Sequence, residues 1–294
     1  MLNNKTMRNY KSYTTYIPLL LLMILPSHIQ AGSMIRVLQF NIRYMNTSDG
    51  INIWANRRQE VMTFVRNTEA DVFGLQEAVH AQVQQFQASM KEYAMIGEGR
   101  DGGTGGEWNP IFYLKEKYEL LKSGTFWLSD TPEVKGSNTW GAACRRIMTW
   151  AILKSKETGE EFLYANTHFD HVSTSAQEKS SRLVKQRLKK YALGLPVIVT
   201  GDFNCTPTSK PYAMMLSQDE AFPMQEAWQH ARSRQGNEGT FHSFGRIEVS
   251  KRSRIDFIFL TPDIRCLRCV TDDETSHPCL LSDHVPVYAD IELP

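Results

Sequence analysis

The chain lacks any apolar run long enough to cross a bilayer as a helix, which takes about 20 residues. The run Ile17-Pro18-Leu19-Leu20-Leu21-Leu22-Met23-Ile24-Leu25 falls well short and is broken by Pro26. Lys5, Arg8 and Lys11 precede it, and Ile29-Gln30-Ala31 sets a small residue before Gly32. Those are the parts of a cleavable export signal, so residues 1–31 are expected to be a signal peptide and residues 32–294 the mature, exported chain, periplasmic or extracellular. No Cys directly follows the run, which argues against a lipid-modified N-terminus.

An excess of charge of one sign is also missing. The chain has 33 Lys+Arg against 32 Asp+Glu, and the leader takes three of the basic residues and none of the acidic ones. The mature chain therefore balances 30 against 32, a formal charge of −2. Proteins that grip duplex DNA usually carry a basic stripe, because phosphate neutralisation supplies most non-specific affinity. The balance points instead to a small or singly charged ligand. Cysteine is sparse: Cys144, Cys205, Cys266, Cys269 and Cys279. Cys266-Leu267-Arg268-Cys269 has no second Cys pair and no βαβ pattern around it, which argues against zinc and thioredoxin-like roles. One disulfide in the 266–279 region is compatible with this count. There is no internal repeat or low-complexity tract, and residues 32–294 suit one large α/β domain.

What is present is alternation. Residues 35–40 alternate as a strand, 54–67 read as a helix with Val61, Phe64 and Val65 on one stripe, and 71–75 return as a buried strand. A helix follows over 80–91. The Gly-rich stretch 97–106 leads into a strand at 109–114, not a helix, so it is expected to be a loop at the rim of a site and not a phosphate cradle. Residues 149–153 and 162–165 form a hairpin across Thr158-Gly159. Residues 176–193 form a basic amphipathic helix whose charges suit a solvated face. A core strand runs over 196–200. Helices alternate with strands early and hairpins recur late, as in two mixed sheets packed face to face with helices outside.

Six short apolar segments meet polar residues at strand ends. They are Phe40-Asn41-Ile42-Arg43, Leu75-Gln76-Glu77, Asn166-Thr167-His168-Phe169-Asp170, Gly201-Asp202-Phe203-Asn204, Arg254-Ile255-Asp256-Phe257-Ile258-Phe259 and Ser282-Asp283-His284. Converging, they would supply oxygen ligands for a hard divalent cation and imidazoles beside carboxylates. Phosphate-ester hydrolysis needs that set: charge on the non-bridging oxygens, an activated water and help for the leaving oxygen.

In this order the motifs resemble the endonuclease/exonuclease/phosphatase superfamily, which includes pancreatic deoxyribonuclease, deadenylases, inositol-phosphate 5-phosphatases and sphingomyelinases. The resemblance runs from about residue 34 to the C-terminus. It implies a four-layer α-β-β-α sandwich with the site where the strand ends of both sheets meet. It implies a Mg²⁺-dependent hydrolase, with Mn²⁺ able to substitute. Glu77 would hold the metal, with Asn41 beside it and Asp283 completing the shell. His284, oriented by Asp256, would position or deprotonate water. Asp202 would orient or activate the nucleophile, Asn204 would donate to a phosphate oxygen, and His168 would bind the developing negative charge. Arg43 stands where repair nucleases of this superfamily often place an acidic residue, which favours one essential metal. Arg43 and Arg146 are candidates for contacting substrate phosphate, and Asp170, with His171, for facing the leaving group. Residues 127–146 look like a rim insertion. Trp54 and Arg57 resemble a pattern of the deadenylase-like branch and are taken as packing, and Cys205 as a small apolar filler.

The leading expectation is a phosphoesterase acting on a phosphodiester or a small phosphomonoester. A nuclease, such as a deadenylase-like 3′–5′ exoribonuclease, is one alternative, and a catalytically silent binding module is another. The partner is a phosphate-ester substrate (small molecule, lipid or nucleic acid), and no obligate protein partner is evident.

Overall fold

The computed structural model describes residues 1, 9, 11, 32–218, 222–272 and 277–294. The expected signal peptide lies almost wholly outside the described residues. Residues Gly32–Pro294 form one compact unit. The chain runs β1 (Met34–Asn41), α1 (Trp54–Thr68), β2 (Val72–Gln76), β3 (Ala78–Val79), α2 (His80–Ser89), β4 (Tyr93–Ile96), β5 (Glu107–Trp108), β6 (Ile111–Leu114) and β7 (Tyr118–Trp127). It continues through β8 (Ile147–Ser155), β9 (Glu161–His168), α3 (Thr174–Ala192), β10 (Val197–Asp202), α4 (Lys210–Leu216), β11 (Gln225–Glu226) and α5 (Ala227–His230). It ends with β12 (Ser233–Gln235), β13 (Asp256–Leu260), β14 (Arg265–Thr271) and β15 (Val287–Glu292).

Two mixed sheets result. One has the order β12-β14-β15-β1-β2-β6-β4, the other β11-β13-β10-β9-β8-β7, and β3 pairs with β5 in a small ribbon. Strand side chains alternate between faces, so each sheet buries two sets of residues. Val37, Val72, Ile111, Tyr164, Ile198, Ile258 and Ala289 fill the space between the sheets. Leu38, Phe40, Phe73 and Leu75 point outward onto α1 and α2, packing with Val61, Val65 and Phe86. Leu163, Ala165, Val197, Val199 and Phe259 point outward onto α3 and α4, packing with Val184, Leu188 and Met215. Three apolar layers separate four structural layers: the α-β-β-α sandwich.

The helices sit where their apolar stripes require. In α1, Trp54, Arg57, Val61, Phe64, Val65 and Thr68 are buried at the three-to-four-residue spacing of one face. In α3, Ser173 caps the start by accepting from the Ala176 amide, and Val184, Leu188 and Ala192 are buried against the core, with Leu183 partly buried beside them. Cys266 and Cys269 are unbridged thiols on β14, their ionisation pushed upward by burial, and Cys144 and Cys205 are unbridged as well. Among the described residues no helix is long and apolar enough to cross a membrane.

Candidate active site

The inward faces of the central strands change character along their length. On β1 the inward residues run Val37, Gln39, Asn41; on β9 they run Tyr164, Asn166, His168; on β10, Ile198, Thr200, Asp202. The same layer is therefore apolar at one end of the sandwich and polar at the other. β13 is antiparallel to β10, with Asp256 opposite Asp202, and β15 is antiparallel to β1. Asp256 thus opens its strand, and Asp283 and His284 precede theirs, yet all three land beside the strand ends that carry Asn41 and Asp202. The motif Ser282-Asp283-His284 forms no regular strand; His284 makes only an isolated bridge to Phe241.

Three site residues adopt left-handed backbone: Arg43 at φ 56, Glu77 at φ 59 and Asn204 at φ 48. That region is uncommon for residues with a Cβ and concentrates at functional sites. It turns the chain sharply after β1, β2 and β10.

The polar contacts are dense. His284 Nδ1 meets Asp256 Oδ2 at 2.9 Å, and Gln39 Nε2 donates to the other Asp256 oxygen at 2.7 Å. Asp202 Oδ2 accepts from Asn41 Nδ2 at 3.0 Å and stands 3.4 Å from His168 Nε2 and 3.7 Å from His284 Nε2. The Asn204 amide N–H donates to Asp202 Oδ1 at 2.9 Å, and its side chain meets His168 Nε2 at 2.9 Å. Asn41 Nδ2 also reaches Glu77 Oε1 at 3.1 Å. A single carboxylate, Asp202, is therefore shared between two imidazoles.

Those imidazoles are driven apart. Burial disfavours charge on His284, but Asp256 and Asp202 outweigh it and hold its pKa well above the usual value. Burial, then Arg146 and His284, push His168 well below its usual value. Burial and the nearby Asp256 raise Asp202 to about 7. Asp283 is raised by burial, with His284 and Arg43 opposing.

The donor set suits a hard divalent cation. Ligand atoms of Glu77, His168 and Asp202 lie within 4.8 Å of one another, as do those of Asp202, Asp256 and His284. Glu77 and Asp202 offer carboxylate oxygens, with the Asn41 amide between them. Asp283 belongs to neither grouping: Arg43 Nη1 lies 3.8 Å from it and 3.9 Å from Glu77, between the two carboxylates. Arg43 is held there by a two-pronged pair with Asp49 at 3.0 and 3.1 Å.

Arg146 is buried against the cluster, with Nη2 3.1 Å from His171 Nδ1 and Nη1 3.9 Å from Glu107. Asp170 is brought close in sequence but is spent otherwise. Its carboxylate accepts from the amides of Val172, Ser173 and Cys144, which fixes the start of α3. The Gly-rich stretch does flank the site: Arg100 pairs with Glu107 at 2.8 Å, and Trp127 Nε1 donates to the Arg100 carbonyl.

Sequence reasoning missed the layer beneath. Gln39 donates to Gln76 at 2.7 Å, Gln76 to Asn166 at 2.6 Å, and Asn166 to the carbonyls of Leu75 and Pro110, so a buried polar bridge joins the two sheets under the site. Period-two reading of the strands could have found it, since each of these residues falls on the inward face. It also missed Glu107, whose carboxylate lies 4.0 Å from His168 Nδ1 and is raised by burial and by Glu77.

The sequence profile of the Endonuclease/Exonuclease/phosphatase family matches residues 38–284. The chain belongs to that family. A family member of known structure from Bacteroides vulgatus is 42% identical, with a TM-score of 0.86 over 89% of this chain and 100% of that one. A mannosyl-6-phosphatase from Bacteroides thetaiotaomicron is 33% identical, with a TM-score of 0.81 over 87% of this chain and 99% of that one. Nocturnin of Drosophila melanogaster is 24% identical over 207 residues, 64% of this chain and 31% of that protein. The chain thus spans about a third of the length of that curated relative. The family consists of metal-dependent phosphoester hydrolases, and this chain is a hydrolase acting on phosphate ester bonds.

Proposed function

We propose that residues 32–294 are an exported, Mg²⁺-dependent phosphoesterase whose substrate is a small phosphate monoester, with a sugar phosphate the leading candidate. The observation that carries the reaction is the Asp202 carboxylate standing between His168 and His284, with Glu77 and Asn204 around it. The near-neutral charge and the 33% identity to a mannosyl-6-phosphatase support the substrate class.

Held by Glu77 with Asn41 beside it, the metal would withdraw charge from the phosphoryl oxygens. Asp202, set between the two imidazoles, would accept the proton of the attacking water. His284, kept charged by Asp256, serves as a fixed donor to the developing negative charge and not as the base. Neutral His168 and the Asn204 side-chain amide, 2.9 Å apart, would serve the same oxygens. Arg43 and Arg146 supply positive charge on either side.

The test is a panel of mannose 6-phosphate, other sugar phosphates, bis-p-nitrophenyl phosphate, poly(A) RNA and duplex DNA, compared by kcat/KM. A sugar phosphate should lead, chelator should abolish turnover, and Mg²⁺ or Mn²⁺ should restore it. Full turnover after exhaustive chelation would overturn the metal assignment. Poly(A) as best substrate would favour the nuclease reading, for which the resemblance to the deadenylase-like branch is the motive. Efficient duplex cleavage with a steep salt dependence would likewise displace the small substrate. N-terminal sequencing of the secreted protein should begin near Gly32; an intact Met1 would remove the export reading.

A further inference from the structure

Arg57 is 1% exposed, in the first turn of α1, and its five N–H donors must find partners inside the protein. Among the described residues they find no carboxylate. Nε donates to the Asn52 carbonyl at 2.8 Å, Nη1 to those of Ile42 at 2.6 Å and Leu281 at 2.8 Å, and Nη2 to that of Arg43 at 3.1 Å. Trp54 and Phe244 cover the guanidinium, with ring centroids 5.2 and 5.6 Å from Cζ.

The four carbonyls belong to segments that carry site residues. Ile42 and Arg43 directly follow Asn41, and Leu281 stands two residues before Asp283. Asn52 closes the turn that begins at Asp49, the partner of Arg43. We infer that Arg57 is a positioning residue for the metal site: a buried fork that locks the turn after β1 to the loop before β15 and so pre-sets Asn41, and through it Glu77, for a divalent cation. This rests on the metal reading above.

Charge alone would do the opposite. A buried cation near Glu77 and Asp283 repels an incoming metal, so any gain in affinity has to come from geometry. The planar fork reaches carbonyls of three segments at once, which a lysine ammonium, a single point, does not. Ser282 Oγ donates to the Asn41 carbonyl at 2.7 Å and ties the same two segments independently.

The test is direct Mn²⁺ binding to residues 32–294, read by the EPR signal of free Mn²⁺, with circular dichroism as the fold control. Arg57→Lys and Arg57→Met should both raise the Mn²⁺ Kd by about 10- to 100-fold, the range for groups that orient metal ligands. Turnover at saturating Mn²⁺ should change far less than Kd. Ser282→Ala should raise Kd by about two- to tenfold, the worth of one hydrogen bond, and it decides the matter if the Arg57 variants do not fold. An unchanged Kd in folded variants, or tighter binding by Arg57→Met, would overturn the inference in favour of packing or simple charge. Wild-type protein that binds no Mn²⁺ would sink this inference and the metal assignment together, whereas wild-type binding with unaltered variants sinks this one alone.

Discussion

His168 and His284 are both buried imidazoles within 4 Å of one carboxylate, and only their second neighbours distinguish them. His284 Nδ1 has Asp256 at 2.9 Å, whereas His168 Nδ1 has no hydrogen-bond partner among the described residues and faces Glu107 at 4.0 Å. Asp256 orients His284 and is the counter-ion that keeps its imidazole charged, and an amide in its place supplies neither. Asp256→Asn should therefore cut kcat by at least about 10², the cost of losing one fixed donor to the transition state, with native circular dichroism. His284→Ala should cost as much or more, and the double variant little beyond His284→Ala, because the pair acts as a unit. Losses that multiply would show that His284 works without Asp256. Both residues were legible in the sequence, since each sits in a motif at a strand boundary. Gln39, which holds the far oxygen of Asp256, was not. A lone polar residue in an alternating strand reads as solvent-facing until the second sheet that covers it is known.

At the scale of the strand, alternation made the elements legible and left their closest approaches hidden. The inward residues of β2 are Val72, Gly74 and Gln76, and Gly74 lies directly under Asn166 of β9. A Cβ built at Gly74 would stand 2.5 Å from Asn166 Cγ and 2.7 Å from Thr200 Oγ1. Its backbone is ordinary extended strand, so contact and not conformation demands the glycine. Asn166 cannot move aside without releasing the carbonyls of Leu75 and Pro110 and the Gln76 amide. Gly74→Ala should destabilise by about 1–3 kcal/mol or more through overpacking, read as a lowered urea midpoint at unchanged slope. A variant within about 0.5 kcal/mol of wild type would mean that the sheets can part at this point. The basic face of α3 shows the reverse limit. Its charges were legible, but Lys185 is buried and donates to the Met214 and Ser217 carbonyls, and Arg187 pairs with Glu133. Charge patterning shows which residues are basic and not where each side chain goes.

For the whole molecule, burial of ionisable groups near one end of the sandwich ties stability to pH. His242 is buried behind the site; its Nδ1 accepts from the Gly245 amide at 2.9 Å, and its own amide donates to the Asp283 carbonyl at 3.0 Å. Burial, with Arg252 and His284 nearby, lowers its pKa to about 4 from 6.5. Between those values the unfolded chain binds more protons than the folded one, so this histidine makes stability rise with pH and fall on acidification. The slope for one such group reaches about 1.4 kcal/mol per pH unit and vanishes below about 4, where both states are protonated. His168 acts in the same direction. Asp202 acts against them, because its folded pKa is raised to about 7 and the folded state holds the extra proton between about 4 and 7. The observable that isolates His242 is therefore a difference between two chains, not one curve. His242→Asn places an amide oxygen where Nδ1 accepts and removes the titration. In chelator, urea-unfolding free energies of wild type and His242→Asn should run parallel above about pH 7.5 and converge or cross toward pH 4, as the wild type loses stability faster. Curves that stay parallel through pH 5 would mean that His242 is charged in the folded protein, and that the loop from Thr240 to Gly245 is not closed over the site as the structure shows it.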